Sequence, residues 1–152
     1  MSTIGSTANI NPIFALNPIV GCNFITAANT LKDGTGALVF VASGNTNGTR
    51  IDNITFSQAN SAQTIANSAM VNRVFIAPST ATNTSTGSTT AYLIAEIANA
   101  AVTPSASAIG ATATIYFTPP LILPSGAYLY TTSSVFAGNQ DKIAVIAKGG
   151  DY

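Results

Sequence analysis

The sequence predicts an all-β fold: a single-domain β-sandwich or jelly roll of about eight short antiparallel strands, preceded by an extended N-terminal arm. Three observations carry that prediction. The good helix formers Glu, Lys, Gln and Arg are scarce, while β-branched Thr, Val and Ile recur along the whole chain. Short apolar or alternating runs are separated by clusters of Gly, Pro, Asn and Ser, the punctuation of antiparallel sandwiches and small barrels. The chain has 152 residues, enough to bury one core without disulfides. Its organisation reads as an arm over residues 1–17 and a sandwich domain over residues 18–152.

The arm contains Gly5, Asn9, Asn11 and Pro12 and carries no charge. It reads as a segment that is stable only when docked, or as a frayed terminus. Ile19 to Ala27 forms the first strand, kinked at Gly21, and Lys32-Asp33-Gly34-Thr35-Gly36 makes a turn. Ala37 to Ala42 is a second, mostly buried strand. After the turn cluster Ser43 to Gly48, polar residues alternate imperfectly with Ile51, Ile54 and Phe56 from Thr49 to Ser57, giving a third strand with one wet face. Asn60 to Ser68 is polar and has no assignable period. Met70 to Ala77 is the fourth strand, stopped by Pro78.

Ser79 to Thr90 is a tract of Ser, Thr, Asn and Gly without a large apolar side chain. It reads as a solvated connection rather than a recognition loop. Tyr92 to Ile97 is the fifth strand, Thr103-Pro104-Ser105 a turn, and Ala111 to Thr118 the sixth strand, ended by Pro119-Pro120. Leu121 to Gly126 reads as a turn-rich connector. Ala127 to Thr132 and Lys142 to Lys148 complete the set.

Composition adds a constraint on the surface. Charged residues make up 7% of the chain, against about 25% in ordinary soluble domains. A surface of Thr, Ser, Asn and Ala has little repulsion to keep copies apart, which favours repeated close association. Five basic and five acidic residues cancel, so no electrostatic footprint for nucleic acid exists. Lys32, Arg50, Lys142 and Lys148 each lie within three positions of an acid, so weak local surface pairing is expected; Arg73 has no such neighbour.

Cys22 is the only cysteine, which excludes an intrachain disulfide and a thiolate cluster; it reads as a small buried apolar residue. Pro, Asn, Gly or Ser interrupts every apolar stretch, so no transmembrane helix and no membrane partner are expected. Ile19-Val20-Gly21-Cys22 resembles a lipoprotein cleavage motif, but no Lys or Arg precedes Lys32, and Asn11, Pro12, Asn17 and Pro18 break the apolar run before it. Processing there is not expected.

Catalysis is not expected either. The chain has no histidine, which removes the commonest general base, metal ligand and nucleophile partner. Asp33, Asp52, Glu96, Asp141 and Asp151 are scattered rather than grouped in a motif. The glycines at 34, 36, 48, 149 and 150 lack the strand-to-helix setting and the Lys of a phosphate loop, and no dense Asp spacing marks a calcium loop. No cofactor and no metal are expected. Tyr92, Tyr116, Tyr128, Tyr130 and Phe136 read as core packing for the most part, with a sugar or protein contact surface as the alternative.

Four segments, in order, carry a resemblance. They are Gly48-Thr49-Arg50-Ile51-Asp52-Asn53-Ile54, Val71-Asn72-Arg73-Val74-Phe75-Ile76, Leu123-Pro124-Ser125-Gly126-Ala127-Tyr128-Leu129 and Gly149-Gly150-Asp151-Tyr152. This series resembles a group of small virion proteins of tailed bacteriophages and prophages, which read Gly-Ser-Arg-Ile-Asp, Val-Arg-Leu-Phe-Ile, Leu-Pro-Ala-Gly-Tyr and Gly-Gly-Asp-Tyr or Phe. It covers roughly the last two thirds of the chain, and order and spacing together carry it. The arm before Ile19 does not match.

The resemblance implies a decoration, or cement, protein on the exterior of the phage head. Its implied partner is the major capsid protein, and its implied state is a homotrimer. Under that implication Ile4, Ile10, Pro12, Ile13 and Phe14 of the arm are the candidate capsid contacts, and the sandwich with its Ser79 to Thr90 loop faces outward. A tail-tip or fibre adhesin binding a host receptor or glycan is the alternative on the same fold.

Overall fold

The computed structural model describes residues 19–59, 68–78, 91–102, 110–135 and 142–151. They form eight strands: β1 (Ile19–Ile25), β2 (Val39–Ser43), β3 (Thr49–Gln58), β4 (Met70–Ala77), β5 (Tyr92–Asn99), β6 (Thr112–Leu123), β7 (Tyr128–Ser133) and β8 (Ile143–Asp151). No helix occurs among the described residues. The candidate contacts Ile4, Ile10, Pro12, Ile13 and Phe14, and the segment 79–90, lie outside the described residues.

Two four-stranded antiparallel sheets form, in the orders β1-β8-β3-β6 and β2-β7-β4-β5. The order has a simple origin. Strand pairs β1 with β8, β2 with β7, β3 with β6 and β4 with β5 are the rungs of one long antiparallel ribbon. Wrapping that ribbon brings β3 against β8 and β4 against β7, and two sheets result. This is the jelly-roll arrangement of a double-sheet sandwich.

The period-2 pattern places Ile51, Ile54, Phe56, Val74, Leu129 and Val145 in the core, all with 0% exposure. The imperfect alternation of β3 has a structural cause. The registers of β3 with β6 and with β8 both shift between Ile51 and Asn53. A bulge around Asp52 resets the phase, so that Ile51 and Ile54, three apart, both face inward. Gly149 sits opposite Ile51 at this bulge, where a Cβ would lie 1.8 Å from the Arg50 carbonyl oxygen. Only glycine fits there. A second shift, between Ile19 and Gly21, realises the expected kink in β1, and a Cβ on Gly21 would collide with the Val41 carbonyl of the facing sheet.

One expectation is overturned. β6 does not stop at Pro119-Pro120 but runs on to Leu123, so Leu121 to Leu123 belong to a strand and the turn is only Pro124 to Ala127. The reason is position: β6 ends its sheet, and an edge strand tolerates residues that cannot donate to a ladder. Its pairing with β3 passes from Tyr116–Asn53 to Leu121–Ile51, and the prolines fall in the intervening bulge, which includes the cis Thr118–Pro119 bond.

The long connection from β1 to β2 lies across the outer face of the β2-β7-β4-β5 sheet. Asn29 donates its backbone N–H to the Ser133 carbonyl at 2.7 Å, and its side chain gathers the loop by donating to the Thr35 and Ala37 carbonyls and accepting from Leu31 N–H. Beneath this strap a second apolar cluster forms from Leu38, Phe75, Ala77, Ala91 and Tyr130. The described outer face of the other sheet has no such cover.

Phe56→Ala is expected to cost about 3–5 kcal/mol, because the ring is fully buried between the sheets. Tyr116→Ala, at an exposed ring, is expected to shift stability by about 0.5 kcal/mol or less. Urea midpoints of the two variants check both values.

Candidate binding surface

The functional candidates are surfaces, and the way side chains are distributed over the strands builds them. Eight large hydrophobic residues are exposed among the described residues. Seven lie on the four strands that end the sheets: Ile19 and Phe24 on β1, Phe40 on β2, Tyr92 and Ile94 on β5, Tyr116 and Ile122 on β6. The eighth, Leu31, is in the strap. The central strands β3, β4, β7 and β8 expose none.

Tyr92 and Tyr116, at 60% and 74% exposure, correct the expectation of core packing for these two rings. Tyr130 is buried as expected and Tyr128 is half-buried; with Phe40 they make a cluster whose ring centroids lie 6.0 to 6.4 Å apart. Phe136 lies outside the described residues.

At the β1–β8 edge a groove of about 470 Å³ is lined by Cys22, Asn23, Phe24, Ala144, Val145 and Ile146. Its character is apolar. Cys22 is exposed there, not buried as its sequence context implied, because it pairs with Ile146 on the outer face of the sheet. The Lys142 ammonium lies 5.9 Å from the centre of the Phe24 ring. Beyond the groove the same face carries a ladder of hydroxyls: Thr55 and Thr114 are 3.0 Å apart, Ser57 and Thr112 3.3 Å.

Charge is handled differently from the expected local pairing. Arg73, 5% exposed on β4, donates from Nε to Glu96 Oε1 at 2.7 Å and from Nη1 to the Asn29 carbonyl at 3.1 Å. Lys32 of the strap donates to the other Glu96 oxygen at 3.1 Å rather than pairing with adjacent Asp33. One carboxylate thus pins the strap to the sheet. Arg73 and Lys32 hold the Glu96 carboxyl below its ordinary value, Arg73 being the larger cause. Asp33 is lowered too, by the Thr35 hydroxyl and backbone N–H that donate to it. Among the described residues Arg50 and Asp52 form the one pair between near neighbours along the chain, Nη2 to Oδ2 at 3.0 Å.

The four resembling segments come together only partly. Thr49, Leu123 and Asp151 are neighbours across three strands, with Arg50 beside Gly150 and Ile122, and the Thr49 hydroxyl donates to Asp151. Three of the four segments therefore build one corner at the end of the sandwich where β1 begins. The fourth segment, on β4, supplies Val74 and Phe75 to the two cores and Arg73 to the strap. Among the described residues no three His, Cys, Asp or Glu side chains are grouped to hold a metal. No described helix is long and apolar enough to cross a membrane. Compared with models of protein families, with curated proteins and with solved structures, the chain matches none.

Arg73→Ala is expected to cost about 2–4 kcal/mol, since it removes two charge-assisted bonds and frees the strap while Glu96 keeps Lys32. Arg73→Lys restores only part of this loss, because one ammonium cannot reach both acceptors with the guanidinium's geometry. Denaturation midpoints of the two variants rank them. Acid sensitivity follows from Glu96. Its folded value lies below its unfolded one, so the unfolded chain takes up the proton first. The stabilisation is complete above the ordinary glutamate value near 4.5 and fades as pH falls through the lower folded value. Glu96→Gln is expected to flatten that part of a stability-against-pH curve while leaving its slope between pH about 6 and 8 unchanged.

Proposed function

We propose that the chain is a structural virion protein that binds the outer surface of a tailed-phage head as a decoration, or cement, protein. In this reading its partner is the major capsid protein, it assembles as a homotrimer, and it performs no catalysis. The observation that carries the reading is the corner built from the resembling segments. Thr49, Arg50 and Ile51 meet Leu123, Ile122 and Leu121 on one side and Asp151, Gly150 and Gly149 on the other. Segments more than a hundred residues apart in the chain thereby serve one structural joint, as expected of a scaffold held in common. Fold alone carries no function, and jelly rolls serve capsid and lectin domains alike. The order of the segments is what favours the virion.

Mechanistically, such a protein works by mass action. Copies that bind the assembled shell and not its separated subunits shift the balance toward the shell by RT ln(1 + [L]/Kd). No reacting group is required. The end of the sandwich at Ile19 becomes the shell-facing end, since the arm with Ile4, Ile10, Pro12, Ile13 and Phe14 joins the domain there. Pro78 and Ala91, which bracket the 79–90 connection, sit at that same end, because Ala77 pairs with Tyr128 and Ile76 with Tyr92.

The test is binding to purified, expanded, empty heads. The full chain is expected to saturate them and to raise their thermal midpoint, with a gain that grows with protein concentration. A chain lacking residues 1–17 is expected to lose at least about tenfold in affinity. Unchanged occupancy by the shortened chain rejects the arm's role. Binding to host cells but not to heads rejects decoration in favour of adhesion.

A further inference from the structure

We infer that the two flanks of the sandwich are complementary contact faces for other copies of this chain, joined head to tail. One flank is formed by β1 and β2, which end their respective sheets on the same side and are tied by the Asn23 side chain donating to the Phe40 carbonyl at 2.7 Å. The other is formed by β5 and β6 on the opposite side.

Sheet-ending strands normally carry Lys, Glu or other charges that keep them from pairing with other chains. Here β1, β2 and β6 carry no charged residue at all. The one charge on β5, Glu96, is taken up by Arg73 and Lys32 of its own chain. In the place of charge stand Ile19, Phe24 and Phe40 on one flank and Tyr92, Ile94, Tyr116 and Ile122 on the other. Among the described residues the other charges are on β3, β4, β8 and the strap, and on Lys142 just before β8, whose ammonium lies over the Phe24 ring.

The occupant is a second copy for two reasons. The strands of the β1/β2 flank carry no charge and the one charge of the β5/β6 strands, Glu96, is taken up within its own chain, so a charged partner would be left unsatisfied, whereas the opposite flank of another copy offers a similarly apolar surface. The size also fits. Eight residues of strand give a face about 27 Å high, and two sheets about 10 Å apart with their side chains give a width of roughly 25 Å, or about 700 Å² per copy. A standard stable interface buries about 800 Å² per partner.

Head-to-tail contact follows from there being two such faces on opposite sides. Like-to-like pairing through one flank would leave the other apolar flank in water. Joining β1/β2 of one copy to β5/β6 of the next covers both with a single type of contact, and such contacts form a ring where the rotation from copy to copy closes. A ring of three rests on the decoration reading; the flank contact does not.

The experiment uses the isolated full chain, without heads, so its outcome is separate from that of the head-binding test. The mass of the wild-type protein in solution is expected to be a small multiple of the chain's 15.4 kDa. Tyr92→Glu with Tyr116→Glu on one flank, and Ile19→Glu with Phe40→Glu on the other, are each expected to weaken self-association by about a hundredfold and to run as single chains. Mixed, the two variants are expected to form a one-to-one heterodimer, since each retains the face the other lacks. Thr46→Glu, in the exposed turn between β2 and β3 and outside both flanks, serves as the reference and is expected to keep the wild-type mass.

Cys22 gives a readout free of substitutions. It is exposed in the single chain and belongs to β1, so its alkylation rate is expected to fall as protein concentration rises. A single-chain mass for the wild type at about 100 μM, with alkylation independent of concentration, overturns the inference. So does either flank variant keeping the wild-type mass, or a mixture of folded variants that fails to pair.

Discussion

The pairing of β3 with β8 is the joint on which the sandwich turns. It converts an antiparallel ribbon into two sheets, and it carries Ile51, Ile54, Phe56 and Val145 to the interior together. It also crosses a bulge, and two strands can pass a bulge at full contact only where one side gives way. Gly149 gives way: with no Cβ, it lets the β8 backbone lie against the Arg50 carbonyl. The corner then closes around it, with Arg50 paired to Asp52 and the Thr49 hydroxyl donating to Asp151. A side chain at this position would push β8 from β3 and open the core at Ile51.

The scarcity of charge acquires a meaning from where the few charges sit. Arg73 is buried on an interior strand and would be costly there without partners. Glu96 and the Asn29 carbonyl satisfy it, and in doing so they fasten the strap over Phe75 and Tyr130. The charges thus hold internal parts together more than they guard the surface. The sheet-ending strands are left apolar, which in a dilute single-domain protein is a hazard of uncontrolled pairing and in a repeated building block is a means of assembly.

Much of this fold was legible locally. Every strand was readable as a β-branched or aromatic run bounded by turn residues, and the broken alternation of Ile51, Ile54 and Phe56 was already the trace of a bulge. What was not legible depends on which strand lies beside which. Pro119-Pro120 reads as a strand stop unless β6 is known to end its sheet. Arg73 finds Glu96 only through the β4–β5 register, which sets them directly opposite. Cys22, Tyr92 and Tyr116 look like core residues by type; they are exposed because their strands have an outer face or lack a neighbour on one side. The candidate arm residues belong to a segment whose environment is another molecule in the proposed function, and no pattern within the chain encodes that environment.

A surface with so little charge suits the proposed reading, in which stabilisation rather than reaction is the output. Each copy of a cement protein adds a modest binding free energy, and the shell gains from the number of copies rather than from any one site. Such a protein needs a rigid core, a defined end facing the shell, and sides that meet neighbours without repulsion. The jelly roll supplies the first through its interleaved strands. It supplies the second because the entry to β1, the Thr49–Asp151 corner and the β6–β7 turn all lie at one end. The uncharged flanks supply the third. Apolar edges on opposite sides of the domain, anomalous for a lone protein, are consistent with one that is stable alone and acts in company.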